Sequence, residues 1–237
     1  MNIFLTMAGI YERFKKDGYK LPKYLLPWGC ETILSKIIFN LNHKNIKDIF
    51  FIANKNDESY LPHIIDHLKK FNIPRKNLIF INSTSGQAET VNVALKLYTN
   101  QQVCDEKFCI LNIDTILFDR DYLDVENSLD INEIYIDVFK SNNTNYSYVL
   151  TQNDSTEVVD IIEKKIISNI ASSGMYGFKN FGSFLDFYKS DDIFISEVIK
   201  KAILQKKKIT IGKLYTENDT IVLGSPSEYQ SNSILLL

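Results

Sequence analysis

The chain has 237 residues, of which 45% are hydrophobic and 24% charged, enough to bury a full core in one α/β domain or two small ones, and an argument against disorder. Its formal net charge of −2 excludes a general attraction to nucleic acid or to an anionic membrane, so any anion site must be built locally. Cys30, Cys104 and Cys109 form no CxxC pair and are odd in number, no apolar run approaches the ~20 residues that span a bilayer, and the start lacks the basic segment of a signal peptide; together these predict a cytoplasmic protein with reduced thiols.

Taken in chain order, residues 3–7 (IFLTM) read as a buried strand. Residues 49–53 (IFFIA), 78–81 (LIFI) and 108–113 (FCILNI) read as three more. Between them ETILSKIIFNLNH, DESYLPHIIDHLKKF and AETVNVALKLY carry apolar residues at helical spacing. Strands alternating with helices predict parallel pairing with right-handed crossovers, and runs apolar on both faces suit strands covered by helices on each side. The second half changes character. IYIDVF, YSYVLTQ, EVVDIIEKK and SGMYGF read as strands in closer succession, followed by helices near 182–189 and 196–205 and a further strand in KITIGKLY. This predicts a mixed sheet extending the parallel one, within one domain over residues 1–237, with no linker and no internal repeat.

One stretch asks for a function. MAGIYERFKKDGYKLPK (residues 7–23) leaves the first strand through Gly9 into a loop with Arg13, Lys15, Lys16, Lys20 and Lys23. Ligands of a doubly wound sheet bind beyond the carboxyl ends of its strands. A glycine turn there can present consecutive N–H groups to an anion, and Arg13 and Lys23 would add full charges. The plain alternative is a solvated basic loop. The three glycines of a dinucleotide fingerprint and the GK[ST] of a P-loop are both missing.

Further along, Gly86 in TSGQAETV permits close approach of a ligand, or else Thr84 or Ser85 simply caps the next helix. Asp114 in FCILNIDTILFD follows an apolar strand in the same crevice, placed to hold a divalent metal against phosphates, or to cap a turn. His63 and His67 stand four residues apart but lack the intervening glutamate of a zinc protease, and a helix surface accounts for them. The terminal SILLL predicts docking on the core or on another subunit, which leaves a homo-oligomer open.

The arrangement MAG-xxx-RF-xxx-GY-xx-PK-x-L resembles the signature loop of the sugar-phosphate nucleotidyltransferases, the nucleotide-sugar pyrophosphorylases, with the nearest likeness among surface-polysaccharide biosynthesis proteins. The resemblance implies an α/β fold, GT-A-like and Rossmann-type, with three layers and a mixed, mostly parallel central sheet. It implies that Ala8 and Gly9 contact a nucleotide, that Arg13 and Lys23 bind the reacting phosphates, and that Gly86 and Gln87 lie at the base. Asp114 matches the family's main metal ligand, for Mg²⁺. EKKIISNIASSGMYGF matches the second-substrate elements through Glu163, Lys164 and Gly174, and LGSPSEY resembles the terminal Gly-Thr-Pro element.

The nucleotide-binding part would then cover about 1–115 and the second-substrate part about 116–237. The implied partners are a nucleoside triphosphate, with CTP slightly preferred, and a phosphorylated sugar or small alcohol. The implied product is an activated precursor for capsule or another surface polysaccharide.

Two positions depart from the family: Tyr11 replaces a second glycine, and Val222 stands where many members carry a second metal-binding aspartate. They leave room for a nucleotide-binding regulatory homologue without catalysis. A GT-A-like glycosyltransferase shares the fold but would show a DxD-like motif, which NIDTI does not provide.

Overall fold

The computed structural model describes residues 1–41, 44–98, 104–153 and 155–234. The first half holds β1 (Asn2–Met7), α1 (Glu12–Lys16), β2 (Pro27–Trp28), β3 (Glu31–Thr32), α2 (Ile33–Leu41), β4 (Asp48–Asn54), α3 (Leu61–Lys70), β5 (Leu78–Ile81), α4 (Gln87–Tyr98) and β6 (Phe108–Asn112). There follow β7 (Thr115–Leu117), α5 (Tyr122–Ile131), β8 (Ile134–Lys140), β9 (Ser147–Thr151), β10 (Val158–Glu163), β11 (Ile170–Phe178), α6 (Gly182–Leu185), α7 (Ile195–Leu204), β12 (Ile209–Tyr215), β13 (Thr220–Val222) and α8 (Pro226–Ile234).

The fold is α/β with a mixed, mostly parallel central sheet. Strands β5, β4, β1 and β6 lie side by side in parallel. β11 then joins antiparallel to β6 and passes the sheet on to β8, which pairs in parallel with β12, while β9 and β10 branch from the other end of β11. Alternation along β1 explains the layers. Ile3, Leu5 and Met7 face α2, α3 and α5 on one side, and Phe4 and Ala8 face α4 and α7 on the other. Both faces are therefore apolar and buried, as the first-half strands led us to expect.

Several details differ from the periodicity. Residues 57–60 belong to a tight 3-10 turn rather than to the following helix, because Asp57 is turned inward to meet two tyrosines. The opening loop contains the one-turn helix α1, seated by the buried Phe14. The helix expected near 182–189 closes after one turn as α6. His67 is spoken for: its ring nitrogens meet Ser35 Oγ at 2.8 Å and Thr32 Oγ1 at 3.3 Å, which supports the helix-surface reading. The SILLL docking expectation concerns residues 233–237, most of which lie outside the described residues.

A small antiparallel ribbon completes the crest. β7 pairs with β13 in the register Thr115 to Val222, and Leu223 N–H donates to Asp114 O at 2.7 Å. Arg120 pins this ribbon to the main sheet. Its guanidinium bonds Asp137 on β8 at 2.9–3.1 Å, Thr220 Oγ1 at 2.6 Å and the Asp219 carbonyl at 2.6 Å, and it lies 3.7 Å from the ring centre of Tyr215.

Candidate active site

The carboxyl ends of β1, β6 and β5 open into one cleft of about 840 Å³, closed on its far side by β10, β11 and the start of α8. All ten residues singled out in the sequence line it: Ala8, Gly9, Arg13 and Lys23 from the opening loop, Gly86 and Gln87 at the start of α4, Asp114 after β6, and Glu163, Lys164 and Gly174 from the second half.

The opening loop is built to present charge. Asn54 on β4 donates to the Ala8 carbonyl at 2.8 Å and fixes the first turn. A Cβ on Gly9 would meet no protein atom within 4 Å, so the gap there faces open cleft and leaves room for a ligand. Tyr11 explains itself. It sits in the left-handed region (φ 40°, ψ 42°), where glycine is the usual choice. Its hydroxyl donates to the buried Asp57, which also accepts from Tyr24 Oη at 3.0 Å. The ring is thereby tied to Asp57 in a small recess that adjoins the cleft at Arg13 and Lys23, and the loop keeps the turn that a glycine would make. Arg13 follows on α1, next to the buried Phe14.

Lys23 is delivered by a 3-10 turn over Lys23–Leu25, anchored by the buried Tyr24 and Leu25. Its Nζ donates to Asp114 Oδ2 at 2.5 Å, with side chains 18% and 19% exposed. Burial alone would push the Asp114 carboxyl up; the Lys23 ammonium, with a smaller pull from Arg13, outweighs it and holds the carboxyl below the usual carboxylate range. Asp114 is therefore ionised at neutral pH, with a cation already against it.

Gly86 has a reason that the sequence did not show. A Cβ there would overlap the Ile193 carbonyl oxygen, and Ala88 N–H donates to that same oxygen at 3.1 Å. The glycine thus lets the 193–195 segment close against α4, which shapes the cleft wall. We expect Gly86→Ala to lower stability by about 1–3 kcal/mol, the scale of overpacking, and to weaken ligand binding through displacement of that wall. A chemical-denaturation midpoint equal to that of the parent would contradict this.

Gln87 does not point freely into the cleft. Its Nε2 donates to Asn112 Oδ1 and to Thr6 Oγ1 at 3.2 Å, so the side chain spans the crests of β1 and β6. Asn112 itself lines the cleft and crowds Gly174, where a Cβ would come within 2.5 Å of its Nδ2. Gly174 also has φ 87°, so both backbone and space call for glycine there. Glu163 accepts from Ser147 Oγ and from Ser196 Oγ at 3.0 Å. Lys164 follows in a left-handed turn (φ 52°), with its Nζ 4.6 Å from the Phe194 ring centre. Sequence reasoning missed Asn112, Asp57 and Glu228. Asn112 and Asp57 meet partners far along the chain, while Glu228 reads locally only as the glutamate of a capping pair with Ser225.

Three cations and a shielded carboxylate around one cleft can receive a polyphosphate and a hard cation together. Among the described residues no three His, Cys, Asp or Glu side chains gather as a metal-binding set. Asp114 offers a single hard oxygen donor, of the kind that a divalent cation takes when water and phosphate oxygens complete its shell.

The sequence model for nucleotidyl transferases matches residues 18–214. The chain belongs to the nucleotidyl transferase family. Comparison with curated proteins gives no match. Among solved structures, this nucleotidyl transferase is similar to a nucleoside-diphosphate-sugar pyrophosphorylase from Vibrio cholerae, at 23% identity, TM-score 0.81 and coverage of 99% of this chain and 100% of that one. It is similar to a UDP-glucose pyrophosphorylase complexed with UDP-glucose, at 14% identity, TM-score 0.74 and coverage of 99% and 97%. An inositol-1-phosphate CTP transferase from T. maritima gives 14% identity, TM-score 0.71 and coverage of 99% and 94%. At these identities the neighbours attest the fold, and the family match carries the class of chemistry. No helix among the described residues is long and apolar enough to cross a membrane.

Proposed function

We propose that this nucleotidyl transferase joins a nucleoside triphosphate to a phosphorylated sugar or small alcohol and releases pyrophosphate. A phosphate oxygen of the second substrate attacks the α-phosphorus, and the bond from that phosphorus to the β-phosphate oxygen breaks. The nucleophile is already an anion, so no general base is needed. What the protein must do is position two polyanions and offset their repulsion.

The observation that carries this reading is the convergence of Arg13, Lys23, Lys164 and Asp114 on one cleft lined by both halves of the chain. Ala8 and Gly9 receive the phosphate-bearing end of the nucleotide, and the Gly86–Gln87 start of α4 lies toward the base. Residues 1–115 then serve the nucleotide and 116–237 the second substrate. Arg13 and Lys23 hold the triphosphate, Lys164 neutralises the incoming phosphate, and Glu163 accepts hydrogen bonds from hydroxyls of the second substrate beside Gly174. Asp114 would hold a divalent metal, Mg²⁺ in our reading, which when bound supplies charge neutralisation across phosphate oxygens. The resemblance to small cytidylyltransferases of surface-polymer pathways supports CTP as the nucleotide and a precursor of capsule or related polysaccharide as the product.

Against the non-catalytic alternative stands the Tyr11 hydroxyl, whose bond to the buried Asp57 holds the ring to the wall of the opening loop.

The deciding experiment is a thermal-shift panel of ATP, CTP, GTP, UTP and dTTP with and without Mg²⁺, followed by pyrophosphate release over phosphorylated sugars and alcohols. A ligand at 100 times its dissociation constant stabilises by about 2.7 kcal/mol, so the binding base will stand out. We expect CTP with Mg²⁺ to give the largest shift. No shift with any nucleotide would overturn the reading, and shifts without pyrophosphate release over a broad panel would favour the regulatory alternative.

A further inference from the structure

Val222 lines the cleft beside Asp114, and its side chain offers no oxygen there. The ribbon pairing sets Val222 opposite Thr115, one residue after Asp114. Two residues beyond Val222 the chain reaches Gly224, and there the structure shows a gap with a definite shape. A Cβ on Gly224 would stand 3.3 Å from Asp114 Oδ2 and 3.5 Å from Glu228 Oε2. The two carboxylate oxygens thus converge on one small space, which glycine leaves open, and the Lys23 ammonium already approaches Asp114 Oδ2 from beside it.

We propose that Glu228, on the first turn of α8, supplies the second carboxylate of the metal site in place of Val222. The inference rests on the metal-dependent reading above and adds a residue to it. Glu228 is held for the task by neighbours on both oxygens. Ser225 Oγ donates to Oε2 at 2.8 Å, and Tyr146 Oη donates to Oε1 at 3.4 Å. Both carboxylates present hard oxygen donors. Mg²⁺ and Mn²⁺ bind such donors directly or through one of the waters they retain, so the pair does not have to close to contact distance.

Glu228 also sits at the third position of its helix, where glutamate commonly helps to cap the first turn. Glu228 N–H donates to Ser225 Oγ at 3.3 Å, so capping alone is the competing explanation. The two roles separate cleanly, because glutamine serves a capping box as well as glutamate does but carries no charge.

The test follows the melting temperature of the nucleotide-saturated full chain as Mn²⁺ is titrated, with nucleotide binding without metal measured in parallel. Glu228→Gln is expected to raise the half-saturating Mn²⁺ concentration 10-fold or more while leaving the metal-free melting temperature unchanged. Val222→Asp in the Glu228→Gln background is expected to restore most of the lost affinity, since it returns a carboxylate to the neighbouring position. Gly224→Ala, which puts a methyl group into the gap without a change of charge, is expected to weaken Mn²⁺ binding as well.

A Glu228→Gln chain that titrates with Mn²⁺ like the parent would overturn the inference, as would a Gly224→Ala chain with unaltered affinity. Failure of the parent chain to bind nucleotide at all would overturn the broader functional reading and this inference with it. Metal-dependent nucleotide binding that ignores Glu228 would overturn the inference alone.

Discussion

Lys23→Ala is expected to lower turnover by about 100-fold or more, the scale of losing one donor aimed at charge in the transition state. The size of the effect follows from two roles in one side chain. In the proposed function Lys23 meets the reacting phosphates, and its ammonium also lies 2.5 Å from Asp114. Burial pushes the Asp114 carboxyl up and Lys23 opposes it, so without the lysine the carboxyl will ionise less readily.

The sign of the accompanying pH effect is fixed. With Lys23 present the folded-state value lies below the unfolded one, and the stabilisation is present above the ordinary carboxylate range and lost as pH falls through the folded value. The gap in melting temperature between parent and variant should therefore widen from about pH 3 to pH 7. Steady-state pyrophosphate release and melting curves across that range test both parts. Near-normal turnover would remove Lys23 from the reacting phosphates.

The largest loss of stability is expected at Asp137. Its carboxylate and the Arg120 guanidinium are each 1% exposed, and Arg120 spends its remaining donors on the Phe118 and Asp219 carbonyls and on Thr220. Asp137→Ala strands a charged guanidinium in the interior, at a cost of about 3–5 kcal/mol. Removing both partners, as in Asp137→Ala with Arg120→Met, is expected to cost less than the two single changes added together. Urea unfolding midpoints for the three variants read the coupling directly. Because Arg120 ties β13 to β8, the single variant should also bind nucleotide and metal less tightly than its remaining folded fraction accounts for.

The parts of this molecule legible from sequence are those where neighbouring residues carry the information. Four apolar runs became β1, β4, β5 and β6 within a residue or two at their ends, because a strand covered on both faces must be apolar throughout. The site loops were legible for a related reason: a doubly wound sheet brings every carboxyl end to one crest, so Gly9, Gly86 and Asp114 had to be neighbours whatever their spacing.

Other features depend on partners remote in the chain. The setting of Tyr11 could not be read locally because Asp57, 46 residues away, accepts its hydroxyl. Gly86 was read for ligand approach, while the Ile193 backbone accounts for its missing side chain. β7 and β13 are three residues each, too short to show a period, and with them went any sign that Glu228 would stand beside Asp114.

The β7–β13 ribbon has a consequence for how the protein is made. The strand after Asp114 finds its partner more than a hundred residues later, and Leu223 closes on the Asp114 carbonyl only once that later stretch has been made. Closing so long a loop is slow compared with the local strand–helix–strand steps of the first half. On the ribosome, the parallel sheet with Asp114 at its crest would thus take shape early, while the opening loop still lacks Tyr229 of α8, which packs on Phe14 and Tyr19. The loop and the ribbon would then lock together in one late step, when α8 arrives to cover both.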